Sequence, residues 1–190
     1  KIFFLENSRM KMKKPRLLII PNDDLKAYDD KGHSREERNS YFNPNNEFDV
    51  SILGVKDKSK RKFNYAGFEV YPINRDLKGL WKVLDNINPD LVRGYNGGWA
   101  SELSGRIGNK LGIPSFTSVH DMDATLSIND VDRVFCVSET VKNKCLDIGG
   151  KEEKLKILYN GLDLNVFKDY RKSDEVEELN IKYPGKHKIL

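Results

Sequence analysis

Residues 89–121, PDLVRGYNGGWASELSGRIGNKLGIPSFTSVHD, switch their hydrophobic period twice, and that switch constrains the fold more than any other part of the chain. Residues 90–95 have the length and apolar content of a short strand. Asn96-Gly97-Gly98 reads as a sharp turn. Residues 99–111 then place Ala100, Leu103 and Ile107 at the spacing of one helix face. Gly112-Ile113-Pro114 stops that helix, and residues 115–119 make a second strand ending on His120-Asp121. A strand–helix–strand unit of this kind builds a parallel sheet with right-handed crossovers. Ligands of open parallel sheets bind beyond the carboxyl ends of the strands. Tyr95-Asn96 and His120-Asp121 are therefore predicted to share the ligand edge.

The rest of the chain repeats the alternation. Residues 16–21, RLLIIP, form a continuous apolar run typical of a central parallel strand. Further strands are predicted over residues 48–55, 68–73, 132–137 and 155–159. Helices are predicted over 34–41, 75–88, 140–148 and 171–182. In the second of these, Leu77, Leu80, Trp81, Leu84 and Ile87 lie on one stripe and are expected in the core. The pattern predicts an α/β fold, a Rossmann-like parallel sheet of six or seven strands flanked by helices. One domain is expected over residues 16–182. Residues 1–15 read as an extension, native or left from expression, and 183–190 as a linker opening into a further domain.

Composition sets outer bounds. At 190 residues, with 33% charged and 38% hydrophobic, the chain can bury the core of one α/β domain. A net charge of +4 permits an anionic ligand or an acidic membrane surface without demanding either, and no nucleic-acid partner is expected. Residues 56–62, KDKSKRK, read either as a solvated turn or as a contact with acidic lipid head groups. No apolar run reaches the length of a membrane span. Cys136 and Cys145 fall in no metal-binding pattern and read as buried, reduced thiols, which fits a cytoplasmic location.

The strand ends carry the candidate chemistry. Gly97-Gly98 precede a helix whose first amides are unpaired, so glycine there either seats an anionic oxygen or only allows tight strand-to-helix packing. Gly105 and Gly108, inside the helix, read as close packing on the sheet. Gly32 could let backbone approach an anion in the loop after the first strand. His120 could hydrogen-bond a sugar hydroxyl or a phosphate near neutral pH, or it could be structural. Ser138 either faces the same edge or caps the following helix. No GxSxG, HExxH or nucleophile–base pair is present.

Taken together, RGYNGGWASELSGRIGNKLGIPSFTSVHD, DRVFCVSETVKNKCLDIGG and KLKILYNGLDLNVFKD resemble the N-terminal domain of GT-B retaining glycosyltransferases of the family-4 type. KGHSREERNSYFNPNNEFDVSILG is similar to the first loop and second strand of some members. The resemblance implies two Rossmann-like domains facing across a cleft, this one on the acceptor side. It implies a sugar transferred with retention from a nucleotide-sugar to an acceptor hydroxyl, sugar or lipid-linked, with no metal cofactor. His120 matches the family histidine near the transferred sugar. Tyr95, Asn96 and Asp121 match residues around acceptor and donor sugar, and Gly32 the glycine that approaches the donor phosphates. Asn160 and Gly161 match the turn near the interdomain cleft. A chain without the second domain is expected to be inactive alone, and peripheral contact with the inner face of a membrane is expected for a lipid-linked acceptor. The alternatives are a nucleotide-sugar epimerase, a phosphorylase, or a non-catalytic glycan-binding or partner-binding module.

Overall fold

The computed structural model describes residues 13–30, 34–55, 59, 61–74 and 76–161. It divides into two units, Lys1–Leu158 and Tyr159–Leu190. Every element below lies in the first. The predicted helix over 171–182, the linker at 183–190 and the glycine at position 32 lie outside the described residues, as does most of the basic stretch 56–62.

Arg16–Ile20 is the central strand β1, and Leu17 to Ile20 are all buried. Asp24 caps a short helix α1, Leu25–Asp29, by accepting from the Ala27 amide. Ser34 and Glu37 form a reciprocal capping box that starts α2, Arg35–Phe42. The chain returns as β2, Asp49–Gly54. A hairpin follows, β3 (Phe63–Tyr65) and β4 (Phe68–Pro72), joined by Ala66 and Gly67 at φ 51° and 94°. Both turn residues are left-handed, the geometry that matches hairpin twist. Ala-Gly is a weaker turn signature than Asn-Gly, so β3 is absent from the sequence reading.

Helix α3 is Leu80–Ile87, shorter than the predicted 75–88. Leu77 and Gly79 sit at φ 57° and 79°, which prevents helical hydrogen bonding before Leu80. The expectation for Trp81 is corrected as well, because it lies about 100° around the helix from Leu80. Leu80, Leu84 and Ile87 are buried, but Trp81 is 43% exposed. Next come β5 (Leu91–Tyr95), α4 (Trp99–Leu111), β6 (Ser115–Val119), β7 (Arg133–Cys136), α5 (Glu139–Asp147) and β8 (Leu155–Ile157).

The eight strands run in the order β3-β4-β2-β1-β5-β6-β7-β8, all parallel except the β3–β4 pair. The chain builds outward from β1 through β2 and β4, then returns to the other side of β1 at β5. That reversal is a topological switch point, and the crevice of a doubly wound sheet opens beyond the strands that flank it. Each face is covered. One packs Leu18, Ile20 and Val92 under α3 and α4. The other packs Leu17, Ile19 and Tyr95 with Leu25 of α1 and Phe42 of α2. A third cluster seats α5 on β7 and β8 and encloses both cysteines, which are free with sulfurs 3.9 Å apart.

Glycine brings α4 onto the sheet. A Cβ on Gly94 of β5 would lie 2.5 Å from the Ala100 carbonyl oxygen, and one on Gly108 would lie 2.7 Å from the Ser115 Cβ. Gly105 is likewise pressed against the Asp130 backbone. Gly108 thus serves the packing on the sheet expected of it, whereas Gly105 lets α4 approach the loop before β7 instead.

Candidate active site

Strand periodicity dictates what reaches the switch point. In β5, Arg93 and Tyr95 are two apart and so share a face. In β6 and its extension, Phe116, Ser118 and His120 share the same face as them. Gly94 is paired in register with Thr117, and Tyr95 with Ser118. His120 therefore lies just beyond Tyr95, their rings 6.2 Å apart and 13° from parallel. A cavity of about 290 Å³ opens here, lined by Asn22 and Asp23 after β1, Tyr95 and Asn96 after β5, and His120 and Asp121 after β6. Tyr28 of α1 and Tyr41 of α2 close its other side.

Two polar atoms in this wall have no partner. The Tyr95 hydroxyl and His120 Nε2 are both buried and make no hydrogen bond. Tyr95 as a whole is 2% exposed. Buried polar groups are ordinarily satisfied, so each orphan calls for an explanation, and an absent ligand is one. Burial raises the Tyr95 phenol well above its ordinary range. It lowers His120, assisted by the Arg93 cation and opposed by Asp121. The imidazole is therefore neutral at pH 7, with one nitrogen that donates and one that accepts.

Asn96 and Asp121 are held as a pair. Asn96 takes a left-handed turn at φ 67°, and its amide donates to the Ser118 carbonyl at 2.7 Å. Asn96 Nδ2 then donates to Asp121 Oδ2 at 3.0 Å, while Asp121 Oδ1 accepts from the Asp123 amide at 3.0 Å. Trp99 Nε1 donates to the Asn22 carbonyl at 3.2 Å and ties the start of α4 to the loop after β1.

Arg93 is one of the residues that sequence reasoning missed. Its guanidinium stacks 4.3 Å from the centre of the Tyr95 ring and donates to Ser118 Oγ at 2.9 Å. The signal was present, since a charged residue inside an apolar strand at period two from Tyr95 must share its face. Tyr28 and Tyr41 gave no such signal, because packing of α1 and α2 brings them there.

Gly97 and Ser138 fall elsewhere. Gly97, at φ 61°, does not line the cavity. A Cβ there would lie 3.0–3.1 Å from Ile128, Ala124 and Val119, and its carbonyl accepts from the Thr125 amide and hydroxyl. Ser138 caps α5, accepting from the Val141 amide at 3.2 Å, and also lies outside the cavity lining. Asn160 and Gly161 belong to the second unit and are exposed. Among the described residues no group of three potential metal ligands occurs, and no helix is long and apolar enough to cross a membrane.

A doubly wound α/β domain with a polar, aromatic-lined cavity at its switch point is of the Rossmann-like class. The sequence pattern of Glycosyltransferase Family 4 matches residues 28–166, and the chain belongs to that family. Comparison with curated proteins gives no match. Among solved structures it is similar to HepE of Anabaena in complex with UDP, at 17% identity and a TM-score of 0.58 over 88% of this chain and 49% of that one. It is also similar to the lipopolysaccharide outer core galactosyltransferase WaaB in apo form, at 12% identity and TM-score 0.53 over 78% of this chain and 46% of that one. A UDP-GlcNAc 2-epimerase from Methanocaldococcus jannaschii matches at 17% identity and TM-score 0.50 over 88% of this chain and 52% of that one. The chain thus spans about half the length of these proteins. The shared feature is the fold, an α/β half of the GT-B architecture.

Proposed function

We propose that this domain is the acceptor-side half of a glycosyltransferase that moves a sugar from a nucleotide-sugar to an acceptor hydroxyl with retention. The observation that carries the reading is the convergence of Tyr95, Asn96, His120 and Asp121 on one cavity at the switch point. HepE has been solved with UDP and with UDP-glucose, which supports a nucleotide-sugar as donor. His120 positions sugar hydroxyls through its buried, unpartnered Nε2, and the Tyr95 hydroxyl offers a second contact. Asp121, oriented by Asn96, accepts from a hydroxyl of the bound sugar. Stabilisation of the departing diphosphate falls to a second domain, whose helix N-termini and basic side chains act in place of a metal ion. On this reading the 190-residue chain is inactive alone, and the protein acts in the cytoplasm or at the inner face of a membrane.

The test is sugar transfer by the protein with its second domain present, using a panel of UDP-sugars and acceptors. Turnover should survive a chelator and fall about a hundredfold or more in His120→Ala, the scale of a lost positioning contact. An epimerase would instead interconvert the UDP-sugar itself without any acceptor. No turnover across the panel would remove the transferase reading.

A further inference from the structure

The cavity at the switch point has a composition that selects its ligand. Tyr41 is 45% exposed although it lines the cavity, and its ring centre is 5.7 Å from that of the buried Tyr95. Phe42 packs edge-on against it, ring centres 5.5 Å apart. An exposed aromatic ring held this way is a rigid platform, and its negative π face attracts the slightly positive C–H face of a pyranose ring. The charged groups in the lining are Asp23 and Asp121. No cation lines it among the described residues. Arg93 stands outside the lining, its guanidinium stacked on Tyr95 and donating to Ser118 Oγ while its Nε is unpartnered. The buried Tyr95 hydroxyl in the wall has no hydrogen-bond partner, so a polar group of a ligand could satisfy it.

We propose that Tyr41, Asp23 and the Tyr95 hydroxyl form a subsite for an uncharged sugar ring, the acceptor's, and that this subsite rejects uronic acids and sugar phosphates. The subsite rests on the acceptor-side reading above and gives it a substrate class. The ring lies on Tyr41 while its hydroxyls donate to Asp23 and exchange a hydrogen bond with Tyr95. Two carboxylates facing a ligand that brings its own negative charge repel it, and discrimination by like charge is as effective as discrimination by contact. A pocket with aromatic walls and a few placed polar groups is the ordinary form of a small-molecule site.

Saturation-transfer NMR on the 190-residue chain tests this with methyl glucoside, galactoside and mannoside, each beside its uronate and its 6-phosphate. At least one neutral glycoside should receive saturation, most strongly at the ring protons of one face, and more than its charged counterparts. Tyr41→Ala should weaken that binding about tenfold, while Tyr41→Phe keeps it, since only the ring face is used. Asp23→Asn should narrow the gap between the neutral sugar and its uronate. Dispersed amide spectra establish that each variant is folded. Equal or stronger saturation of the charged sugars, none for any neutral one, or no effect of Tyr41→Ala would overturn the proposal. Neutral-sugar binding of this pattern without transfer from any UDP-sugar would leave the subsite standing and remove the transferase. Transfer to anionic acceptors alone would do the opposite.

Discussion

His120 is the residue whose chemistry its neighbours set most clearly. Burial and the Arg93 cation both oppose its protonation, and only Asp121 favours it. The unfolded chain takes up that proton near pH 6.5, about the ordinary value for histidine. The folded chain takes it up at lower pH. Between those two points the unfolded state binds more protons, so stability falls as pH drops below about 6.5 and levels off once the folded imidazole is protonated. An NMR titration of the His120 ring should place its midpoint below the ordinary value. Arg93→Met, which keeps bulk and removes charge, should raise the midpoint, and Asp121→Asn should lower it further. An unmoved midpoint in Arg93→Met would mean that burial alone sets it. At this scale the sequence was partly legible. Tyr95, Asn96, His120 and Asp121 could be placed because a strand's last residues must face the carboxyl edge. Tyr28 and Tyr41 could not, since they arrive from helices whose docking depends on Leu25 and Phe42 packing far along the chain.

Among the elements, α4 is the one whose position the site depends on, because its first residue anchors the β1 loop through Trp99 and its preceding turn carries Asn96. Gly94→Ala would drive a Cβ to 2.5 Å from the Ala100 carbonyl oxygen and 2.6 Å from Ser104 Oγ. Both are held in the helix, Ser104 by its bond to that same carbonyl at 2.7 Å, so neither can yield easily. Loss of about 3 kcal/mol in urea unfolding is expected, the upper end of overpacking effects. Ser138→Ala should cost less, about 1 kcal/mol, as the loss of an N-cap at α5. It should leave sugar binding unchanged, and a specific loss of binding there would return Ser138 to the site. Strong periodicity made α4 readable to the residue, at Trp99–Leu111. It misled at α3, where Leu77 continues the stripe while its own backbone leaves the helix.

At the scale of the whole molecule, the sheet order brought the ends of β5 and β6 to one carboxyl edge, as the alternation of strands and helices predicts, but the number of strands did not follow from it. The β3–β4 hairpin adds an antiparallel edge strand that three residues, Phe63-Asn64-Tyr65, are too short a run to announce. The donor's place is a separate matter. A nucleoside diphosphate carries two or more negative charges, and sites that hold it tightly use cations or clustered helix N-termini. The lining of the described cavity offers Asp23 and Asp121 instead, and Arg93 stands outside it, stacked on Tyr95 and donating to Ser118. The solved HepE with UDP is about twice the length of this chain, which aligns with 49% of it. On the proposed transferase function, the donor's diphosphate is expected to depend on a second domain. Titration of the 190-residue chain with UDP, followed by amide shifts, should give a dissociation constant weaker than about 1 mM, an affinity of only some 4 kcal/mol. The neutral sugar should meanwhile shift Asn96, His120 and Asp121. Micromolar UDP binding with shifts centred on those three residues would place the phosphates in this cavity, and the division of labour between acceptor wall and donor domain would have to be reversed.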